Sequence, residues 1–119
     1  MSDQRKDIRK KLMAFTPVYD SISRSLLGYV GNINILGIMI ISEHSLDMGR
    51  EVILNIEFPK SLAEAQEKNL ITPARVAWCN QDQAAKSYMI GFEFTKLTPE
   101  QTETIRIIME RYDFRHNDS

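Results

Sequence analysis

The stretch Arg50-Glu51-Val52-Ile53-Leu54-Asn55-Ile56-Glu57-Phe58-Pro59 is the most regular in the chain. Successive side chains of an extended strand point to opposite faces, so Val52, Leu54, Ile56 and Phe58 share one side while Ile53, Asn55 and Glu57 share the other. One wholly apolar face beside a mixed one describes a strand that lies over a core. Toward the C-terminus, residues 60–69 (KSLAEAQEKN) contain Ser61-Leu62-Ala63-Glu64, which fits a capping box; they hold one or two helical turns or form a long hairpin loop. Residues 71–79 (ITPARVAWC) and 87–94 (SYMIGFEF) then read as a strand pair joined by the polar connector NQDQAAK. Ala74, Val76 and Trp78 share a face of the first strand; Tyr88, Ile90, Phe92 and Phe94 share a face of the second.

Toward the N-terminus the same reading continues. Residues 42–49 (SEHSLDMG) are a loop, and GIMIIS over 37–42 is a strand opened by Gly37. NINILG over 32–37 is turn chemistry, LLGYVG over 26–31 is a short strand, and SISRS over 21–25 is a polar turn. LMAFTPVYD over 12–20 reads as a strand in which Pro17 marks an edge position or a bulge, because proline has no N–H to give a ladder. Beyond the last strand, Thr98 is suited to cap a helix, Pro99 to its first position and Gln101 to completing a capping box. Ile105, Ile108, Met109 and Tyr112 then fall on one stripe, which predicts a helix packed on a core. Six short strands and one amphipathic helix predict a mostly β chain: a small antiparallel barrel plugged or flanked by that helix. Residues 1–11 form a basic N-terminal arm, 12–114 a single barrel domain with its helix, and 115–119 a tail.

Composition narrows the function. The chain has 119 residues, of which 43% are apolar and 26% charged, enough for one domain with its own core. Lys and Arg number 15 against 16 Asp and Glu, for a net charge of -1, so any basic site is local. Its longest apolar run, over 38–41, is far too short for a membrane span, and no apolar segment follows the basic N-terminus as a signal peptide requires. The lone Cys79 can form no internal disulfide, and with the separated His44 and His116 it makes no metal-binding pattern. No glycine-rich phosphate loop, nucleophile–base pair or buried carboxylate pair is visible. The chain reads as a cytoplasmic protein, not an enzyme, with neither cofactor nor metal.

Two short motifs remain. Arg5-Lys6-Asp7-Ile8-Arg9 places arginines four apart, and Asn32-Ile33-Asn34-Ile35-Leu36-Gly37 follows at the start of a strand. With the ARVAW and IGFEF strands and the final LTPEQTETIRIIMERY helix, these motifs make the chain resemble the PilZ domain family over nearly its whole length. That family carries RxxxR in an N-terminal arm and (D/N)xSxxG at a barrel strand, on a six-stranded barrel closed by a C-terminal helix. Many members bind the bacterial second messenger cyclic di-GMP. The resemblance implies that Arg5 and Arg9 clamp guanine and phosphate, that Asn32 and Asn34 hold a base edge, and that Gly37 admits close backbone approach or takes a dihedral closed to other residues. An arginine fork matches the paired O6 and N7 acceptors of guanine and can also stack on the base. Asn34 departs from the pattern, standing where the motif has Ser. Its amide still donates and accepts but is bulkier, which predicts weakened binding.

The resemblance therefore implies a stand-alone cyclic di-GMP receptor in second-messenger signalling, such as motility or biofilm regulation, that relays the signal to a protein partner. It implies a monomer or weak dimer, with no DNA and no membrane span. The alternative is a nucleotide-free PilZ-like protein-interaction module, for example in motility or pilus regulation. A barrel for single-stranded nucleic acid ranks third, since the net charge is -1 and no basic strand face interleaves with aromatics.

Overall fold

The computed structural model describes residues 11–12, 16–58 and 69–113. The short strand β1 (Lys11–Leu12) is followed by β2 (Pro17–Asp20), β3 (Leu26–Ile33), β4 (Gly37–Ser42), β5 (Glu51–Glu57), β6 (Asn69–Asp82) and β7 (Ser87–Phe94). Helix α1 (Pro99–Arg111) and a second short strand, β8 (Tyr112–Asp113), complete the order. Strands β2-β3-β4-β7-β6-β5 close into an antiparallel barrel, so the six-stranded barrel with its C-terminal helix is as expected. β1 and β8 pair in parallel outside it, Lys11 opposite Tyr112 and Leu12 opposite Asp113. That ribbon was not expected: the strand read over 12–20 starts at Pro17, with Thr16 outside it, and Leu12 pairs with Asp113 instead.

The barrel interior follows the alternation. Val52, Leu54, Ile56 and Phe58 are all buried, with Leu54 and Ile56 fully so, while Ile53 and Glu57 face solvent. They meet Val18, Val30, Ile38, Ile40, Leu70, Val76, Ile90 and Phe92 in one cluster. Pro17 opens β2, where its missing N–H costs no ladder bond; the register shift opposite Val18 and Tyr19 puts the extra residue, Leu27, on β3, so Pro17 marks neither an edge nor a bulge of its own strand. The turn after β2 is held by Asp20, whose carboxylate accepts from the N–H groups of Ile22 (2.9 Å) and Ser23 (3.2 Å). Asn80, Gln81 and Asp82, read as part of the connector, extend β6 instead, opposite Met89, Tyr88 and Ser87.

Helix α1 starts as its sequence dictates. Thr98 N–H donates to Gln101 Oε1 and Gln101 N–H donates to Thr98 Oγ1, both at 3.1 Å, a reciprocal capping box. Its buried face is Thr104, Ile105 and Ile108, and the two isoleucines join the barrel's core cluster. Met109 is not part of that face: it is 37% exposed. The Tyr112 side chain and the capping box at Ser61–Glu64 lie outside what the structure describes.

Candidate functional site

The motif Asn32-Ile33-Asn34-Ile35-Leu36-Gly37 spans the end of β3, a tight turn and the first residue of β4. Its local conformation is built by Asn34. The side-chain Oδ1 accepts from the N–H groups of Leu36 (2.7 Å) and Gly37 (3.1 Å), and Asn34 N–H donates to the Gly37 carbonyl at 2.9 Å. This is an Asx turn, with the short amide standing in for a backbone carbonyl. The turn is tied to β7 by the Phe94 N–H, which donates to the Leu36 carbonyl at 3.0 Å.

Gly37 stands opposite Glu93 of β7. A Cβ at Gly37 would overlap the carbonyl oxygen of Phe92, so only glycine lets β4 approach β7 this closely. Its backbone angle is ordinary; among the described glycines the left-handed one is Gly49, at φ 84°. Of the two roles considered for Gly37, close approach is the one the structure supports, and the surface it approaches is β7.

The registers place a row of residues across the outside of the barrel. Asn32 is opposite Met39, Met39 opposite Gly91, and Gly91 opposite Trp78. The next row runs Gly37, Glu93, Arg75. Trp78 was expected to share the inward face of Ala74 and Val76. It does not, because β6 carries a bulge between Val76 and Trp78 that reverses the alternation beyond it. Trp78 therefore points outward, 39% exposed, and Cys79 packs against the core in its place. The indole lies so close over Gly91 that a Cβ there would overlap its ring atoms.

Around these rows the surface forms an open depression of about 300 Å³, lined by Asn32, Asn34, Leu36, Gly37, Trp78, Gly91 and Glu93 among others. The fold thus brings Asn32, Asn34 and Gly37 together, with Asn32 and Asn34 exposed. Arg5 and Arg9 lie outside the described residues. Trp78 and Glu93 were not among the residues singled out from sequence for the site. Arg75 forms an ion pair through Nη2 with Glu93 Oε2 across the β6–β7 ladder. Among the described residues no group of three or more His, Cys, Asp and Glu could hold a metal ion, and no helix is long and apolar enough to cross a membrane.

Comparison with known proteins agrees with the fold. The family model "PilZ domain" matches residues 3–111. The chain is also similar to the solved structure of the Bacillus subtilis inhibitor of motility (MotI/DgrA), with a TM-score of 0.64 at 18% identity. That similarity covers 90% of this chain and 50% of the other, so the chain spans half the length of the protein it matches. Comparison with curated proteins gave no match.

Proposed function

The chain belongs to the PilZ domain family, and on that premise we propose that it is a receptor domain for cyclic di-GMP which passes the signal to a protein partner. The observation that carries this reading is the depression itself: the motif residues Asn32, Asn34 and Gly37 gather on one outer face with the half-exposed indole of Trp78. An aromatic face offers a base a stacking surface, and an exposed amide beside it offers acceptor and donor atoms to a base edge. Asn32 supplies that amide. Asn34 supplies the shape of the turn through its oxygen.

A volume of about 300 Å³ is at the small end of ligand sites. It suits one base laid on the surface, and a dinucleotide needs a further wall; the family motif gives that part to Arg5 and Arg9, whose guanidinium groups match guanine and phosphate. A cyclic dinucleotide carries two phosphate charges that a basic arm would neutralise, which makes ligand concentration a switch.

One observation favours a second reading, a PilZ-like interaction module without nucleotide. The oxygen of Asn34 serves its own turn and Gly37 is required by packing against Phe92, so both residues have structural reasons to be where they are. Calorimetric titration with cyclic di-GMP, using GTP and GMP as controls, separates the two. Saturable binding near micromolar supports the receptor; a flat trace with folded protein leaves the interaction module. Arg9→Ala should then cost about tenfold or more in affinity, the loss of one bidentate charge-assisted contact, and Arg9→Lys should recover only part of it.

A further inference from the structure

One charged group in the depression has no place in the family motif. Glu93 lines the same surface as Asn32, Asn34 and Trp78, and its side chain is 47% exposed. A bare carboxylate would repel a ligand that carries phosphates. Here it is neutralised from the side: Arg75, directly across the β6–β7 ladder, pairs with Oε2. The pairing leaves Oε1 without a partner among the described residues. Such a carboxylate keeps acceptor capacity on both oxygens, since each has two lone pairs.

Resting on the reading of this surface as a cyclic di-GMP site, we propose that Glu93 is the residue that selects guanine, accepting from the N1–H and 2-amino groups of a base stacked on Trp78. The register supports the placement. Gly91, which lies under the indole, and Glu93 are two residues apart on β7, so both face outward and stand about 7 Å apart along the strand. A base lying on the indole presents an edge within reach of a glutamate at that spacing. Guanine offers two adjacent donors on that edge, which a carboxylate matches. Adenine offers an acceptor at N1, which a carboxylate repels. Hypoxanthine keeps N1–H but lacks the 2-amino group. Arg75 is a positioning residue: its contact fixes the Glu93 rotamer and cancels the charge that would oppose the phosphates.

The selectivity of a polar site comes chiefly from groups left unpaired by the wrong ligand, so the test uses ligands that differ at one edge. Parent, Glu93→Ala and Glu93→Gln are titrated with cyclic di-GMP, its di-inosine analogue and cyclic di-AMP, after their melting temperatures are shown to agree. The parent should bind in that order. Glu93→Ala should lose about tenfold or more toward cyclic di-GMP, lose less toward the inosine analogue, and lose nothing toward cyclic di-AMP. Glu93→Gln should behave like Glu93→Ala toward cyclic di-GMP, because its amide NH2 meets a donor. Arg75→Ala should lower the guanine preference and Arg75→Lys restore it; parental selectivity in Arg75→Ala overturns the role given to Arg75. If the parent binds cyclic di-GMP but Glu93→Ala leaves the three affinities in the same ratio, the assignment of Glu93 is wrong and the receptor reading stands. If the folded parent binds none of the three, both fall.

Discussion

Gly37→Ala isolates the structural part of the motif. The added methyl would overlap the Phe92 carbonyl oxygen and come within 3.2 Å of the Phe92 carbonyl carbon and 3.3 Å of Glu93 Cα, all backbone atoms. No rotamer change can move them aside, so β4 and β7 must separate where Phe92, 3% exposed, anchors β7 in the core. Overpacking of this kind costs about 1–3 kcal/mol. Alanine returns about 0.4–1 kcal/mol by restricting the unfolded chain. Gly37 is the first residue of β4, so part of the overlap is relieved by tilting the strand end. The balance is a loss of about 1–2 kcal/mol, or roughly 4–8 °C in melting temperature for a domain of this size. Urea unfolding followed by the fluorescence of Trp78, the single tryptophan, measures it directly. The midpoint should fall while the slope with denaturant stays constant, the signature of a change in stability alone. A midpoint identical to that of the parent would refute the packing argument and return the glycine to a purely ligand-based role.

Three further outcomes follow from the same geometry. Asn34→Ser keeps a weaker turn cap through its hydroxyl, so it should melt within a few degrees of the parent; by removing bulk from the depression it should tighten cyclic di-GMP binding by about 0.5–1.5 kcal/mol, read by paired titrations, and weaker binding would refute crowding. Trp78→Ala should cost about 1–3 kcal/mol of binding, the usual worth of stacking a base on an aromatic ring, whereas Trp78→Phe should keep most of it. Thr98→Ala removes the acceptor for Gln101 N–H at the start of α1 and should lower stability by about 1 kcal/mol in thermal or urea unfolding, with no effect on any ligand titration.

What sequence could reveal depended on whether the cause was local. The 52–58 alternation, the Thr98-Pro99-Gln101 helix start and the turn at Asn34 were legible because each is decided within a few residues: a two-residue period, a reciprocal cap, an Asx turn. The place of Trp78 was not, since a bulge inserts one residue into β6 against β7 and nothing in ARVAW marks where the alternation slips. Its partner Gly91 was visible only as an isolated glycine in a strand, and only the fold lays the indole over it. Glu93 and Arg75 were not singled out, being 18 positions apart until the hairpin places them opposite each other. Met109 was assigned to the buried helix face from the stripe it shares with Ile105 and Ile108, yet Thr104 takes part in that face instead, with its hydroxyl satisfied by the Glu100 carbonyl at 3.0 Å. The arginine motif was found in sequence, and its position lies outside the described residues.

The closed ring of β2-β3-β4-β7-β6-β5 also constrains how any other protein can recognise this domain. Many recognition domains accept an extended peptide as an extra strand, trading main-chain hydrogen bonds along an open sheet edge. Among the described residues, the ring has no such edge where its strands are paired on both sides; β6 runs past its β5 register, which ends at Arg75, and its last residues are paired to β7 alone. Over the doubly paired part of the barrel, recognition is therefore written in side chains and turns, where a single substitution can change the reader without disturbing the ladder beneath it. The same closure protects the exposed isoleucines of β5 and β6, Ile53 and Ile71, from seeding strand-to-strand aggregation through the barrel. The outer surface of the ring can then diverge toward new partners while its inner surface keeps the fold.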